Sequence, residues 1–131
     1  MAELSDADIG LLKGPDSYAT LVTLDPDGSP HATMVWIDTA DGLVLVNTAE
    51  GRRKARNLHR DGRAAVLVTR GGDAYDWLSI TGTVEDTVGE PEALAHIGAL
   101  SERYDGKPWD RVEGQRRVIF RLRPDRILRY R

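Results

Sequence analysis

Two turn segments near the start of the chain leave little freedom in how their neighbours fold. Asp25-Pro-Asp-Gly-Ser-Pro30 separates YATLVTL (18–24) from HATMVWID (31–38), and Thr39-Ala-Asp-Gly42 separates the latter from LVLVN (43–47). Residues of these types preset φ or tolerate left-handed backbone, so each segment reads as a hairpin connection. Links this short join antiparallel neighbours, because a parallel crossover needs about a dozen residues. The first third is therefore a meander of hairpins and not a βαβ unit.

The later strands are expected at 63–69, 76–87 (after a Gly-Gly-Asp turn at 71–73) and 115–123, with Pro124 interrupting the last before an extended end at 125–130. Several strands (LVLV, AAVLV, VIF) are continuously apolar instead of alternating. In an antiparallel protein this means that both faces are covered, as in a small barrel flanked by helices or a partner subunit. Three helices fit between the strands. The first spans 5–13 with Ser5 as cap and Asp8 at the third position. The second, 51–60, has Ala55 and Leu58 as a thin apolar edge. The third, 90–104, opens at Pro91 and would turn Leu94, Ile97 and Tyr104 inward. A loop at 105–114 carries Pro108 and Trp109. The class expected is mainly β with helices.

At 131 residues, one domain covering 1–131 is expected. No apolar run approaches the roughly 18 residues of a membrane span. MAELSDADIG lacks the basic and apolar regions of a secretory signal, and there is no cysteine. A cytoplasmic protein without membrane attachment is the expectation. The formal net charge of -3 conceals an asymmetry. Residues 1–50 carry nine acids and one base, Lys13, whereas 52–63 hold six bases and 111–131 eight arginines. Clustered cations suggest an anionic ligand, while the acidic total and the lack of interleaved stacking aromatics argue against nucleic acid.

Val46-Asn-Thr-Ala-Glu-Gly-Arg-Arg-Lys-Ala-Arg-Asn-Leu58 is the most informative stretch. A strand ends near Asn47, Thr48 is placed to cap the next element, and Arg52, Arg53 and Lys54 open a helix. A helix N-terminus is already positive and favours Asp or Glu there. A bound phosphate or carboxylate would resolve the conflict, with backbone N–H groups, the Thr48 hydroxyl and the cations converging on it. Side chains reaching into solvent are the plain alternative. His31, His59 and His96 are scattered without carboxylate spacing, so no metal site is expected. G-x-S-x-G, G-x-G-x-x-G and GK[ST] are absent. No catalytic side chain is assigned. That is no objection to hydride transfer, in which the cofactor carries the reactive chemistry.

The order of hairpins, Asn-Thr, Arg-Arg-Lys, Asn-Leu and an apolar strand resembles the pyridoxamine 5′-phosphate oxidase-like split β-barrel family. ATLVTLDPDGSPHATMVW, VNTAEGRRKARNL and RRVIFRLRPDRI are most similar to its actinobacterial branch that uses the deazaflavin coenzyme F420. The resemblance implies a six-stranded antiparallel split β-barrel of the FMN-binding type, a homodimer with its cofactor site at the subunit interface. It implies that Thr48, Arg53 and Lys54 hold the cofactor phosphate, with Arg52 able to take the arginine role after a one-residue slip. Asn47 and Asn57 fall in the same segment. Thr33, Met34, Val35 and Trp36 would lie along the ring system, and Trp77 would reach it from the opposite subunit. The oxidases themselves carry a further C-terminal extension not found after Arg131, so their own activity is not expected. The function implied is an F420-dependent reductase passing hydride to a conjugated small molecule. FMN-dependent oxidase or reductase chemistry on the same fold, and non-catalytic F420 binding, stay open.

Overall fold

A computed structural model describes residues 2–130. In chain order the elements are α1 (Asp6–Leu12), β1 (Ser17–Leu24), β2 (Pro30–Val35), β3 (Asp38–Ala40), β4 (Leu43–Ala49), α2 (Arg53–Arg60), β5 (Arg63–Arg70), β6 (Asp73–Val88), α3 (Glu92–Asp105) and β7 (Arg117–Tyr130). All strands join one antiparallel sheet in the order β2-β1-β5-β6-β7-β4-β3. The sheet has seven strands, not the six expected. The expected strand 31–38 is two strands, because β2 stops at Val35 and the chain restarts at Asp38 on the opposite edge.

That break dictates the shape. A flat sheet would hold β2 and β3 six spacings apart, roughly 29 Å. Val35 and Asp38 are three Cα steps apart, at most about 11 Å. The sheet must therefore roll up until its edges nearly meet, although no hydrogen bonds close the seam between them. Trp36 and Ile37 span it. The turn after β3 is tighter than expected: Asp41 (φ 56°) and Gly42 (φ 78°) both adopt left-handed backbone, as a two-residue type I′ hairpin requires. Thr39 and Ala40 belong to the strand.

Pro124 does not interrupt β7. It lies opposite Gly82, where the register shifts, so its missing N–H falls at a bulge. A side chain at position 82 would come 2.6 Å from the Arg123 carbonyl oxygen, which explains the glycine.

The core fills the rolled sheet with Leu21, Val44, Val46, Val66, Leu78, Ile80, Phe120 and Leu122, plugged by Leu11 and Leu12 of α1 and by Ala55 and Leu58 of α2. On the other face of β4 and β7, Leu43, Leu45 and Ile119 pack under Ala93 of α3. Every residue of β4 is buried, as its continuous apolarity implied. In β5 the chain itself supplies no such cover, and Leu67 on the outer face is exposed. The inner face of α3 is Ala93, Ile97, Leu100 and Ser101; Ile97 turns inward as expected, whereas Leu94 and Tyr104 at the edges of that stripe are only half-buried.

Ser5 and Asp8 form the expected capping box on α1, and Arg129 at the end of β7 also binds Asp8 at 2.6 Å. Asp38 gathers three elements onto the seam: its carboxylate meets Lys13 (3.0 Å), His96 (2.9 Å) and Arg103 (3.0 Å). Burial alone would raise its pKa, but hydrogen bonds from His96 and Lys13 outweigh that and hold it well below the usual carboxylate range. A depressed folded-state pKa contributes stability that is complete above the unfolded value and lost as pH falls through and below it. The urea midpoint should therefore fall between roughly pH 5 and pH 2 more steeply for wild type than for Asp38→Asn, with wild type the more stable at neutral pH. Parallel curves would exclude this role for Asp38.

Candidate functional site

A cleft of about 390 Å³ opens beside the seam, where β2, the end of β4, the start of α2, α3 and the loop before β7 converge. Asn47, Thr48, Arg52, Lys54 and Arg117 form its polar end. Tyr18, Met34, Trp36, Tyr104 and Trp109 give it an aromatic and apolar wall, and Val35, Ile97 and Ser17 complete the lining.

The polar end holds positive charge in no ion pair, although the Glu90 carboxylate, which accepts the Arg117 backbone N–H at 2.8 Å, is close enough to act on Arg117. Lys54 is 8% exposed and Arg117 5%. Among the described residues no ion pair within 4.0 Å involves Arg52, Lys54 or Arg117. Burial, then the neighbouring Arg52 and Arg117 cations, pushes the Lys54 ammonium pKa down. Burial, then Arg52, brings Arg117 down to about 10. Between them the Thr48 hydroxyl is buried with no hydrogen-bond partner. Buried charges and hydroxyls are ordinarily paired, and leaving them unpaired costs several kcal/mol. A site that keeps such groups aimed at one cleft is built to receive an anion.

The aromatic wall suits a flat ring. Trp36 and Tyr104 stack with centroids 5.4 Å apart and planes within 1°, and Trp109 meets Trp36 edge-on at 6.3 Å. The Arg117 guanidinium lies 5.1 Å from the Trp109 ring centroid, which ties the two walls together. Tyr104 is fixed by accepting the Ile37 N–H at 3.3 Å, so the linking residues between the sheet edges also shape the cleft.

Seven residues singled out in the sequence meet here: Met34, Val35, Trp36, Asn47, Thr48, Arg52 and Lys54. Thr33 lies alongside with its own hydroxyl buried and unpartnered, but does not line the cleft. Arg53 is elsewhere. It leaves α2 on the far side and binds both carboxylate oxygens of Asp25. Asn57 is buried and donates to Thr23 and Asp25, each at 3.0 Å, tying α2 to the β1–β2 turn. Trp77 stacks on Tyr130 at 5.6 Å on the outer face of the sheet. Thr48 does not cap α2, because β4 runs on to Ala49 and the turn through Gly51 (φ 87°) places Arg52 at the cap position.

Arg117, Trp109, Tyr104, Tyr18, Ser17 and Ile97 were not assigned to the site from sequence. Arg117 reaches it because β7 pairs with β4 in a register that sets it opposite Ala49 and Val118 opposite Thr48. One arginine among eight carries no mark of that register.

The family model described as pyridoxamine 5′-phosphate oxidase matches residues 13–130. The chain belongs to the pyridoxamine 5′-phosphate oxidase family. Among solved structures, one described as an F420 reductase is 30% identical with a TM-score of 0.79, covering 91% of this chain and 94% of its own. A conserved hypothetical protein from Mycobacterium tuberculosis is 31% identical with a TM-score of 0.74, covering 99% and 88%. HutZ, a haem storage protein from Vibrio cholerae, shares the fold alone at 15% identity and a TM-score of 0.68, covering 98% and 96%.

In this member of the family the unpaired Lys54 should cost stability while the cleft is empty. Lys54→Met should stabilise the ligand-free protein by about 1–2 kcal/mol, since removing an uncompensated buried charge is favourable. Inorganic phosphate should raise the Tm of wild type and raise that of Lys54→Met much less at the same concentration. Equal phosphate shifts in both proteins would place the anion elsewhere.

Proposed function

We propose that this protein is a coenzyme F420-dependent reductase, working as a homodimer, that passes hydride from the reduced deazaflavin to a conjugated small molecule. The observation that carries the reading is one cleft lined by three cations that form no ion pair among the described residues, Arg52, Lys54 and Arg117, by the Thr48 hydroxyl, which has no hydrogen-bond partner, and by the stacked rings of Trp36 and Tyr104. That donor set suits a planar conjugated cofactor bearing a phosphate. The 30% identity to an F420 reductase over most of both chains favours the deazaflavin among such cofactors.

When bound, the cofactor supplies the hydride. The cations and Thr48 would hold its phosphate, the first three by charge-assisted hydrogen bonds. Trp36 and Tyr104, locked on each other and to Ile37, offer a rigid surface against which a ring is oriented at little entropic cost. Burial of Thr48, Lys54 and Arg117 keeps their interactions strong by excluding water.

The homodimer rests on the outer face of the sheet. Strand pairing aligns Met34, Thr20, Leu67, Ser79 and Leu128 in one row, and Tyr18, Thr69, Trp77 and Tyr130 in the next. Met34, Leu67, Leu128, Tyr18 and Tyr130 are all exposed. A contiguous apolar face of this kind marks an association surface. Met34 and Tyr18 also line the cleft, so a second copy on this face would cover the cleft mouth and bring its own Trp77 towards it. This is how the interface site implied by the resemblance would be completed.

Paired fluorescence titrations of the apo-protein with coenzyme F420 and with FMN test the reading. F420 should bind the more tightly; preference for FMN would favour a flavin enzyme of the same fold, and F420 binding without turnover of any conjugated acceptor a carrier protein. Lys54→Ala should weaken F420 binding about 10–150-fold, the 1.5–3 kcal/mol of a charge-assisted hydrogen bond. Arg53→Ala should change it by less than about threefold, because Arg53 is spent on Asp25. For the dimer, Leu67→Asp should sediment as a monomer at concentrations where wild type is dimeric. A monomeric wild type would overturn the shared site.

A further inference from the structure

Asn47, a candidate ligand contact, has its side chain wholly engaged by protein. Its amide nitrogen donates to the Ala93 carbonyl at 2.8 Å and lies 3.0 Å from His96 Nδ1, while its oxygen accepts from Arg117 Nε at 3.0 Å. The Ala93 carbonyl and the Arg117 N–H fix this orientation independently. A flipped amide would set oxygen against oxygen at one end and N–H against N–H at the other. His96 Nδ1 must therefore be an acceptor, which leaves the proton on Nε2. That nitrogen faces Asp38 Oδ2 at 2.9 Å, and Asp38 is itself held by Lys13 from the end of α1 and Arg103 from α3.

The result is an unbroken file of hydrogen bonds, Asp38 to His96 to Asn47 to Arg117, running from the sheet's seam to the floor of the cleft. All four are largely buried: Asp38, Asn47 and Arg117 are 7%, 9% and 5% exposed, and the His96 side chain 13%. Of the four, only Arg117 belongs to the cation set that faces the cleft. Arg117 needs such support, for it is a buried cation whose guanidinium makes no ion pair among the described residues; the Glu90 carboxylate accepts its backbone N–H at 2.8 Å and acts on the guanidinium only from a distance. Its Nε–H is taken by Asn47 and one Nη1–H by Gln115 at 3.1 Å, and its guanidinium lies over Trp109. The remaining N–H groups are left for the cleft.

We infer that Asp38, His96 and Asn47 are positioning residues that fix Arg117 towards the anionic group of the ligand, with His96 acting as its neutral Nε2–H tautomer. The inference rests on the reading of the cleft as the site of a cofactor phosphate. The relay acts on ligand affinity only through Arg117. If His96 merely supported α3, its loss would weaken binding whether or not Arg117 were present.

A double-mutant cycle separates these cases, read as the dissociation constant of coenzyme F420 by fluorescence titration. Arg117→Ala should weaken binding at least tenfold. His96→Phe should weaken it about fivefold in wild type and less than twofold in the Arg117→Ala background. His96→Asn, which can present an acceptor near the position of Nδ1, should recover most of the loss. A His96→Phe effect of equal size in both backgrounds would overturn the relay and leave the cleft reading standing. An Arg117→Ala variant that binds as wild type does would sink the cleft reading and the relay together. Should His96→Phe fail to fold, ¹⁵N spectra of the wild-type protein decide: a neutral His96 protonated at Nε2, beside an Arg117 Nε–H slow to exchange, is expected. Protonation at Nδ1 would overturn the proposal.

Discussion

Two residues, Trp36 and Ile37, hold the two edges of a seven-stranded sheet together, and the shape of the molecule depends on that tether. Rolling the sheet encloses the Phe120 and Leu122 core and brings β2, β4 and α3 around one point. The tether is itself bound there: Ile37 donates its N–H to Tyr104 and its carbonyl accepts from Arg103 at 3.0 Å, and Trp36 stacks on Tyr104. A seam closed by backbone hydrogen bonds would have left no gap. Because it is closed by side chains from α3, a cleft lined with aromatic rings lies beside it.

The second organising fact is electrostatic. Arg52, Lys54 and Arg117 come from the turn before α2, from α2 itself and from β7, yet they meet at one cleft and, among the described residues, none of them forms an ion pair. Elsewhere arginines are paired, as in Arg53 with Asp25, Arg121 with Asp86 and Arg129 with Asp8, or reach the surface as Arg56 and Arg60 do, whereas Lys54 and Arg117 are buried. The contrast makes the unpaired group informative, since a chain with 21 acidic residues has no shortage of partners. On the proposed function, the folding energy given up at this one place would be recovered when an anion binds.

Local chemistry is legible in the sequence wherever a single segment decides the outcome. Ser5 and Asp8 announce the cap of α1, the Asp-Gly pair its hairpin, and the apolar run of β4 its burial on both faces. The cation-rich start of α2 brings Arg52 and Lys54 to the cleft. Inferences that need a register or a rotation fail. Arg53 and Lys54 are adjacent, but on a helix adjacent residues diverge by about 100°, so one enters the cleft and the other meets Asp25. Pro124 reads as a strand breaker until Gly82 is seen opposite, making a bulge that tolerates it. Arg117 and Trp109 have no local signal at all; β4–β7 pairing and the fold of the preceding loop put them where they are.

The outer face of β5, β6 and β7 connects these points. Leu67, Leu128 and Tyr130 stand exposed on strands whose inner faces are core, so the unbroken apolarity of β5 is a demand for cover that one chain does not meet. That face begins at Met34 and Tyr18, the same residues that border the cleft. Cover for the one is therefore a wall for the other. A second copy seated there would bury the apolar rows and shield the unpaired cations from water at once, strengthening their hold on an anion as the local dielectric falls. On this arrangement, assembly and ligand binding draw on a single surface, and a change that loosens the first should weaken the second.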